Sequence, residues 1–176
     1  MINKKKFLVL LLSVLFITCL LSTGLEINPI NYLYRHQIFT YMKSVQKIED
    51  QFYELVQQRK SYSRDNSEEY VQHLQESIQI IDNVMMELIT IEAKAPIYEN
   101  KLLFLQEMKI IRDMNFEEIH WLRAHDEVSK KKSDNYLNEY NAIAKQRRMS
   151  LKQVFDRYNI LYIDLGDRIK YKTRNF

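Results

Sequence analysis

Beyond residue 28 the apolar positions fall into a seven-residue rhythm. Tyr34, Ile38, Tyr41, Val45, Ile48, Phe52 and Leu55 step alternately by four and three. On a helix of 3.6 residues per turn, that spacing forms a single seam and predicts lengthwise packing against a partner helix. The first helix is expected over about 29–61. Asn28 can cap it, and Pro29 suits the first helical position, where its missing N–H is not needed.

The second helix is expected over about 66–95, opened by Asn66 with Glu69 three residues on as a capping box. Val71, Leu74, Ile78, Ile81, Met85 and Leu88 continue the rhythm, while Ile80, Val84 and Ile91 widen the stripe toward a second neighbour. Ala95-Pro96 closes this helix and opens a third, over about 96–128. One of its stripes is Phe104, Met108, Ile111, Ile119 and Leu122, and an adjacent one is Leu103, Ile110, Met114 and Trp121. A helix apolar over so much of its girth is buried on two sides.

Ser129–Ser133, with Lys130, Lys131 and Lys132, reads as a linker. A fourth helix follows over about 134–172 on Leu137, Tyr140, Ala144, Leu151, Val154, Tyr158, Leu161 and Leu165. Arg147 intrudes at one seam position, where it either snorkels outward or, with Asn115, sets the register between helices. Gly166 is expected to loosen or end the last turns.

Two glycines and two prolines in 176 residues leave few turns. The expected fold class is all-α: an N-terminal membrane or signal helix, then an antiparallel four-helix bundle with long, coiled-coil-like helices. A pair of long helical hairpins that completes its core on dimerisation remains open.

The N-terminus sets the expected location. Lys4, Lys5 and Lys6 precede an uncharged run, Phe7–Leu25, whose 19 residues would span about 28 Å as a helix. Flanking lysines resist translocation, so residues 26–176 are expected outside the cytoplasm as one extracytoplasmic bundle. Residues 1–25 are read first as a retained single-pass signal-anchor in the cell membrane. A cleaved signal peptide, with Ser22 and Gly24 before the cut, would give a secreted protein. In a third reading Cys19 carries a lipid, but Phe16-Ile17-Thr18 lacks the usual small residues. Cys19 is the chain's one cysteine, so structural disulfides are excluded from the bundle.

Lys4, Lys5 and Lys6 account for the entire formal charge of +3. This removes the main reason to expect nucleic acid as a partner. Charge is nevertheless segregated: residues 26–128 hold 11 basic and 18 acidic side chains, and residues 129–176 hold 12 and 5. The simpler reading docks a basic last helix on an acidic remainder. The alternative is a basic contact face, comprising Lys130, Lys131, Lys132, Lys145, Arg147, Arg148 and Lys152, that meets anionic lipid or polymer at the envelope.

Candidate chemistry is sparse. Glu117 and His120 form one Glu-x-x-His, half of what di-iron bundles place on facing helices, and no second copy occurs. His120 lies about 160° from its helix's stripe, on the polar face, and His36 and His73 also fall away from theirs. The sequence holds no haem-attachment motif, glycine-rich phosphate loop or nucleophile elbow. No cofactor is expected, and the protein is read as non-enzymatic. Met42, Met85, Met108, Met114 and Met149, most of which fall on or beside the stripes, are read as core filler, or else as the lining of an adaptable groove.

The expected function is protein–protein interaction at the cell envelope, as an accessory, regulatory, inhibitory or sensory subunit that binds another envelope protein or itself. The alternatives are a ligand- or metal-binding bundle, sited at Glu117/His120 or in a Met/Tyr-lined interior, and a structural protein contacting anionic polymer.

Overall fold

A computed structural model describes residues 29–61, 67–166 and 168–171. The candidate anchor residues Lys4, Lys5, Lys6, Phe7 and Leu25, together with Cys19, Asn28 and Asn66, lie outside them. The chain divides into two compact units, Met1–Leu33 and Tyr34–Phe176. The packing described below is that of the second.

Its elements are α1 (Pro29–Ser61), α2 (Ser67–Thr90), α3 (Tyr98–Ala124), α4 (Glu127–Arg157), β1 (Tyr162–Asp164) and β2 (Ile169–Tyr171). Tertiary pairs establish the directions. Arg112 of α3 pairs with Asp82 of α2 at 3.2 Å, and the Lys101 ammonium donates to the Ile89 carbonyl at 3.0 Å, so α2 and α3 run antiparallel. Lys132 pairs with Glu117, and the Asn100 amide donates to the Arg147 carbonyl at 3.1 Å, so α3 and α4 are antiparallel too. Phe52 meets Phe104 edge-on at 5.6 Å, and Tyr34 lies 5.5 Å from Tyr158, closing the bundle through α1. The fold is an up-down-up-down helical bundle.

The expected seams of α1 and α3 form the core. Ile38, Val45, Ile48 and Phe52 of α1 are fully buried against Ile81, Leu88, Phe104 and Met108. A smaller cluster, Tyr70, Val71, Leu74, Ile78 and Ile119, joins the start of α2 to the end of α3.

Three sequence expectations are corrected. First, the α3–α4 break lies at His125-Asp126 rather than in Ser129–Ser133. His125 takes a left-handed conformation (φ 53°), and the Asp126 carboxylate accepts from the Val128 and Ser129 N–H groups at 3.1 and 3.2 Å. Lys130, Lys131 and Lys132 therefore sit inside α4, where Asp126 and Glu127 offset their charge near the positive end of the helix.

Second, α4 stops at Arg157, well before Lys172. Asn159 adopts φ 52°, and the Ile160 N–H donates back to the Phe155 carbonyl at 2.8 Å. This is a Schellman stop, with asparagine where glycine is usual. The chain then forms a hairpin in the register Tyr162↔Tyr171, Ile163↔Lys170 and Asp164↔Ile169, turning at Gly166 (φ 90°). Tyr162 and Tyr171 face each other across the hairpin and clasp Phe155 at 5.6 and 5.9 Å. Leu161 and Leu165, expected in the α4 seam, are exposed.

Third, the first half of α4 does not seal against α1. Leu137 is exposed and Tyr140 and Ala144 are only half-buried; the α4 side chains that are buried are Ser129 and Ser133 at one end and Arg147, Leu151, Val154 and Phe155 further on. Ile80 of α2 is likewise exposed, as is Met149, while Met42, Met108 and Met114 fill the core. A cis peptide joins Ala95 to Pro96 between α2 and α3.

Candidate functional site

Among the buried polar side chains of the bundle, two groups are each centred on an arginine. Arg147, 4 % exposed, is turned inward rather than snorkelling to solvent. Its guanidinium pairs with Glu49 of α1, lies 3.5 Å from Glu107 of α3, donates to the Tyr53 hydroxyl at 3.0 Å and covers the Phe104 ring at 3.8 Å. Arg147 thus joins three helices, which a lysine could not do with the same fan of donors.

The electrostatics follow from one cation between two acids. Glu49 takes the close bond, so Glu107, 1 % exposed, is left with the longer contact. Burial pushes the Glu107 carboxyl up to about 7 against the pull of Arg147, and Glu49 adds to the rise. With Glu107 protonated, Arg147 and Glu49 form a neutral pair, the arrangement that costs least inside a core. Burial also pushes the Tyr53 hydroxyl up to about 12 and raises Tyr41 well above its ordinary value, so both remain neutral. The Tyr41 hydroxyl is buried with no hydrogen-bond partner among the described residues.

The second polar centre joins α1, α2 and α3. Arg59 pairs with the buried Glu118 and donates to the Met114 sulfur at 2.9 Å, and the Tyr70 hydroxyl donates to Glu118 at 3.1 Å. A sequence signal for both centres exists on α3. Asn100, Phe104, Glu107, Ile111, Met114 and Glu118 step by four and three, so two acids and an amide share the apolar seam. Buried acids at seam positions require partners from elsewhere, and the helical spacing alone does not say which.

Two concavities follow the α1–α4 seam and share Tyr53, Ala144 and Arg148. One, of about 380 Å³, lies under β2 beside Glu49 and Arg147. The other, of about 600 Å³, opens where the first half of α4 stands off, between Tyr53, Tyr70, Met114 and Tyr140.

Of the sequence-predicted site residues, Glu117 and His120 border one surface hollow at the end of α3, and the basic ones disperse. Glu117 is tied to Lys132 at 3.2 Å and His120 is exposed; among the described residues no group of three or more metal-ligating side chains converges. His73, expected on a polar face, is instead buried, which holds its imidazole below the ordinary value. The expected basic face is broken up. Arg147 is in the core, Lys130 lies 5.3 Å above the Trp121 ring, Lys132 is paired with Glu117 and Lys152 with Asp164. Lys131 and Lys145 remain exposed and Arg148 half-exposed. Among the described residues no helix is long and apolar enough to cross a membrane.

The outer surface carries a different feature. Met86 and Ile89 of α2 and Tyr98 and Leu102 of α3 are large apolar side chains left 47–65 % exposed. The Lys101–Ile89 bond brings these stretches of α2 and α3 to one end of the hairpin they form. In comparisons of the chain with protein-family models, curated proteins and solved structures, nothing matches.

Proposed function

We propose that this chain is a membrane-tethered, non-enzymatic helical bundle that works outside the cytoplasm by docking another protein of the cell envelope. Lys4–Lys6 ahead of Phe7–Leu25 support the tether and its orientation. The observation that carries the docking role is the apolar group Met86, Ile89, Tyr98 and Leu102 at one end of α2–α3. Single exposed apolar residues are ordinary on a protein surface; several together on neighbouring helices are the pattern of a contact surface. Aromatic and methionine side chains are also the types enriched at such contacts.

The test places a photo-crosslinking residue at Met86, at Leu102 and, as a control, at the exposed Lys131, in the full chain on intact membranes. Met86 and Leu102 are expected to trap one discrete species and Lys131 none, and Ile89→Asp is expected to abolish the product. Equal trapping at all three sites, or none at Met86 and Leu102, would refute the reading. A trapped second copy of this chain would replace the hetero-partner with self-association.

A second reading, a ligand-binding bundle, is favoured by the seam cavity of about 600 Å³, which lies in the size range of small-molecule sites.

A further inference from the structure

We infer that the open half of the α1–α4 seam binds an anionic amphiphile, its apolar body lying along Tyr53, Met114 and Leu137 and its charged head at Arg148 and Lys145. The inference rests on the ligand-binding reading and names the class of ligand.

The first half of the α1–α4 seam lacks its filler. Leu137, Tyr140 and Ala144 fall in heptad register with Leu151 and Val154, yet only the latter two are buried. Toward its C-terminal end α4 is drawn to α1 by Arg147 and Glu49 and closes over the core. In its first half the buried positions are the small residues Ser129 and Ser133, and Ser133 lines the space left open. The result is a cavity of about 600 Å³ whose apolar walls are Tyr53, Val56, Ile111, Met114, Leu137 and Tyr140. An elongated apolar body there would bury surface that the fold itself leaves wet, at roughly 25 cal/mol per Å².

Charge orients the occupant. Lys145 and Arg148, one turn apart on α4, lie at one end of the cavity, and Asp134 lies at the other, about 14 residues or 21 Å along the helix. Arg59 also borders the cavity but is neutralised by Glu118. Arg148 has neither a hydrogen bond nor an ion pair among the described residues, and its charge acts on the exposed Asp164, which is itself paired with Lys152. A half-buried guanidinium that lines both concavities and makes no direct ion pair among the described residues is suited to a carboxylate or phosphate head, which it can meet with two parallel bonds. A cationic head would be repelled at this end.

The test is photoaffinity labelling of the full chain in neutral-lipid nanodiscs, with diazirine-bearing octanoate, octylammonium and octanol and adducts mapped by peptide mass spectrometry. Octanoate is expected to label the Tyr53–Val56 and Leu137–Tyr140 segments saturably, and octylammonium is not. Arg148→Gln should weaken octanoate labelling about tenfold, the scale of one charge-assisted bond, and leave octanol unchanged. Leu137→Asp should abolish both. Competition by unlabelled octyl phosphate against octanoate separates a phosphate preference from a carboxylate one. Octanol labelling as strong as octanoate, or octanoate labelling indifferent to Arg148→Gln, would overturn the anionic class while leaving the ligand-binding reading intact. No saturable labelling of these segments by any probe would overturn both.

Discussion

Glu107 offers a quantitative handle on the buried polar centre. Its carboxyl is enclosed by α1, α3 and α4 and faces Arg147, Glu49 and Tyr53, and burial lifts it from the ordinary 4.5 to about 7. Between those values the folded chain holds a proton that the unfolded chain has released. Stability from this group is therefore complete below about pH 4.5 and is lost as pH rises through about 7. At 1.36 kcal/mol per pH unit the loss is about 3 kcal/mol, a large share of a typical domain's stability.

Glu107→Gln keeps the shape and a neutral amide but removes the titration. Urea unfolding of the full chain in mild detergent, followed by Trp121, the only tryptophan, measures the effect at about pH 5 and about pH 8. The parent is expected to lose up to about 3 kcal/mol more than the variant across that interval. His73, whose imidazole burial holds low, titrates in the opposite sense and is common to both proteins, so the difference between them is the diagnostic quantity. Parallel pH dependence in parent and variant would show that Glu107 is ionised throughout and would refute the assignment.

Two further outcomes follow from the core. Arg147→Met should cost about 3–5 kcal/mol because it strands Glu49 and Glu107 without their cation, and adding Glu49→Gln and Glu107→Leu should recover much of that loss in the same unfolding assay. Phe52→Ala should cost a comparable ~3–5 kcal/mol by opening a cavity against Phe104, and Phe52→Leu should cost clearly less.

The particular residues show which levels of the fold were legible in the sequence. The α1 stripe Ile38, Tyr41, Val45, Ile48, Phe52 and Leu55 is buried as its spacing predicts, because a regular helix converts sequence interval directly into angular position. Where the spacing misled, a local geometry stronger than periodicity prevailed. Leu161 and Leu165 keep heptad register with α4, but Asn159 turns left-handed and redirects the chain into a hairpin clasped on Phe155. The Lys130–Lys132 run looked like a linker, yet Asp126 caps the helix upstream and carries the lysines inside it. Both stops depend on short side chains that accept or tolerate particular backbone geometry, a signal weaker in sequence than an apolar stripe.

Apolar spacing and charge alone establish a mainly helical chain, the faces of α1 and α3 that form the core, and an acidic body followed by a basic last helix. Which acids meet which arginines is settled by how the helices pack. Glu49 and Arg147 are 98 residues apart, and Glu118 and Arg59 are 59 apart. Helical periodicity assigns each of these residues a face but carries no information on its partner across the core. The same limit applies to the seam cavity: Leu137 has the position of a core residue, and whether it is covered depends on how closely two distant helices approach.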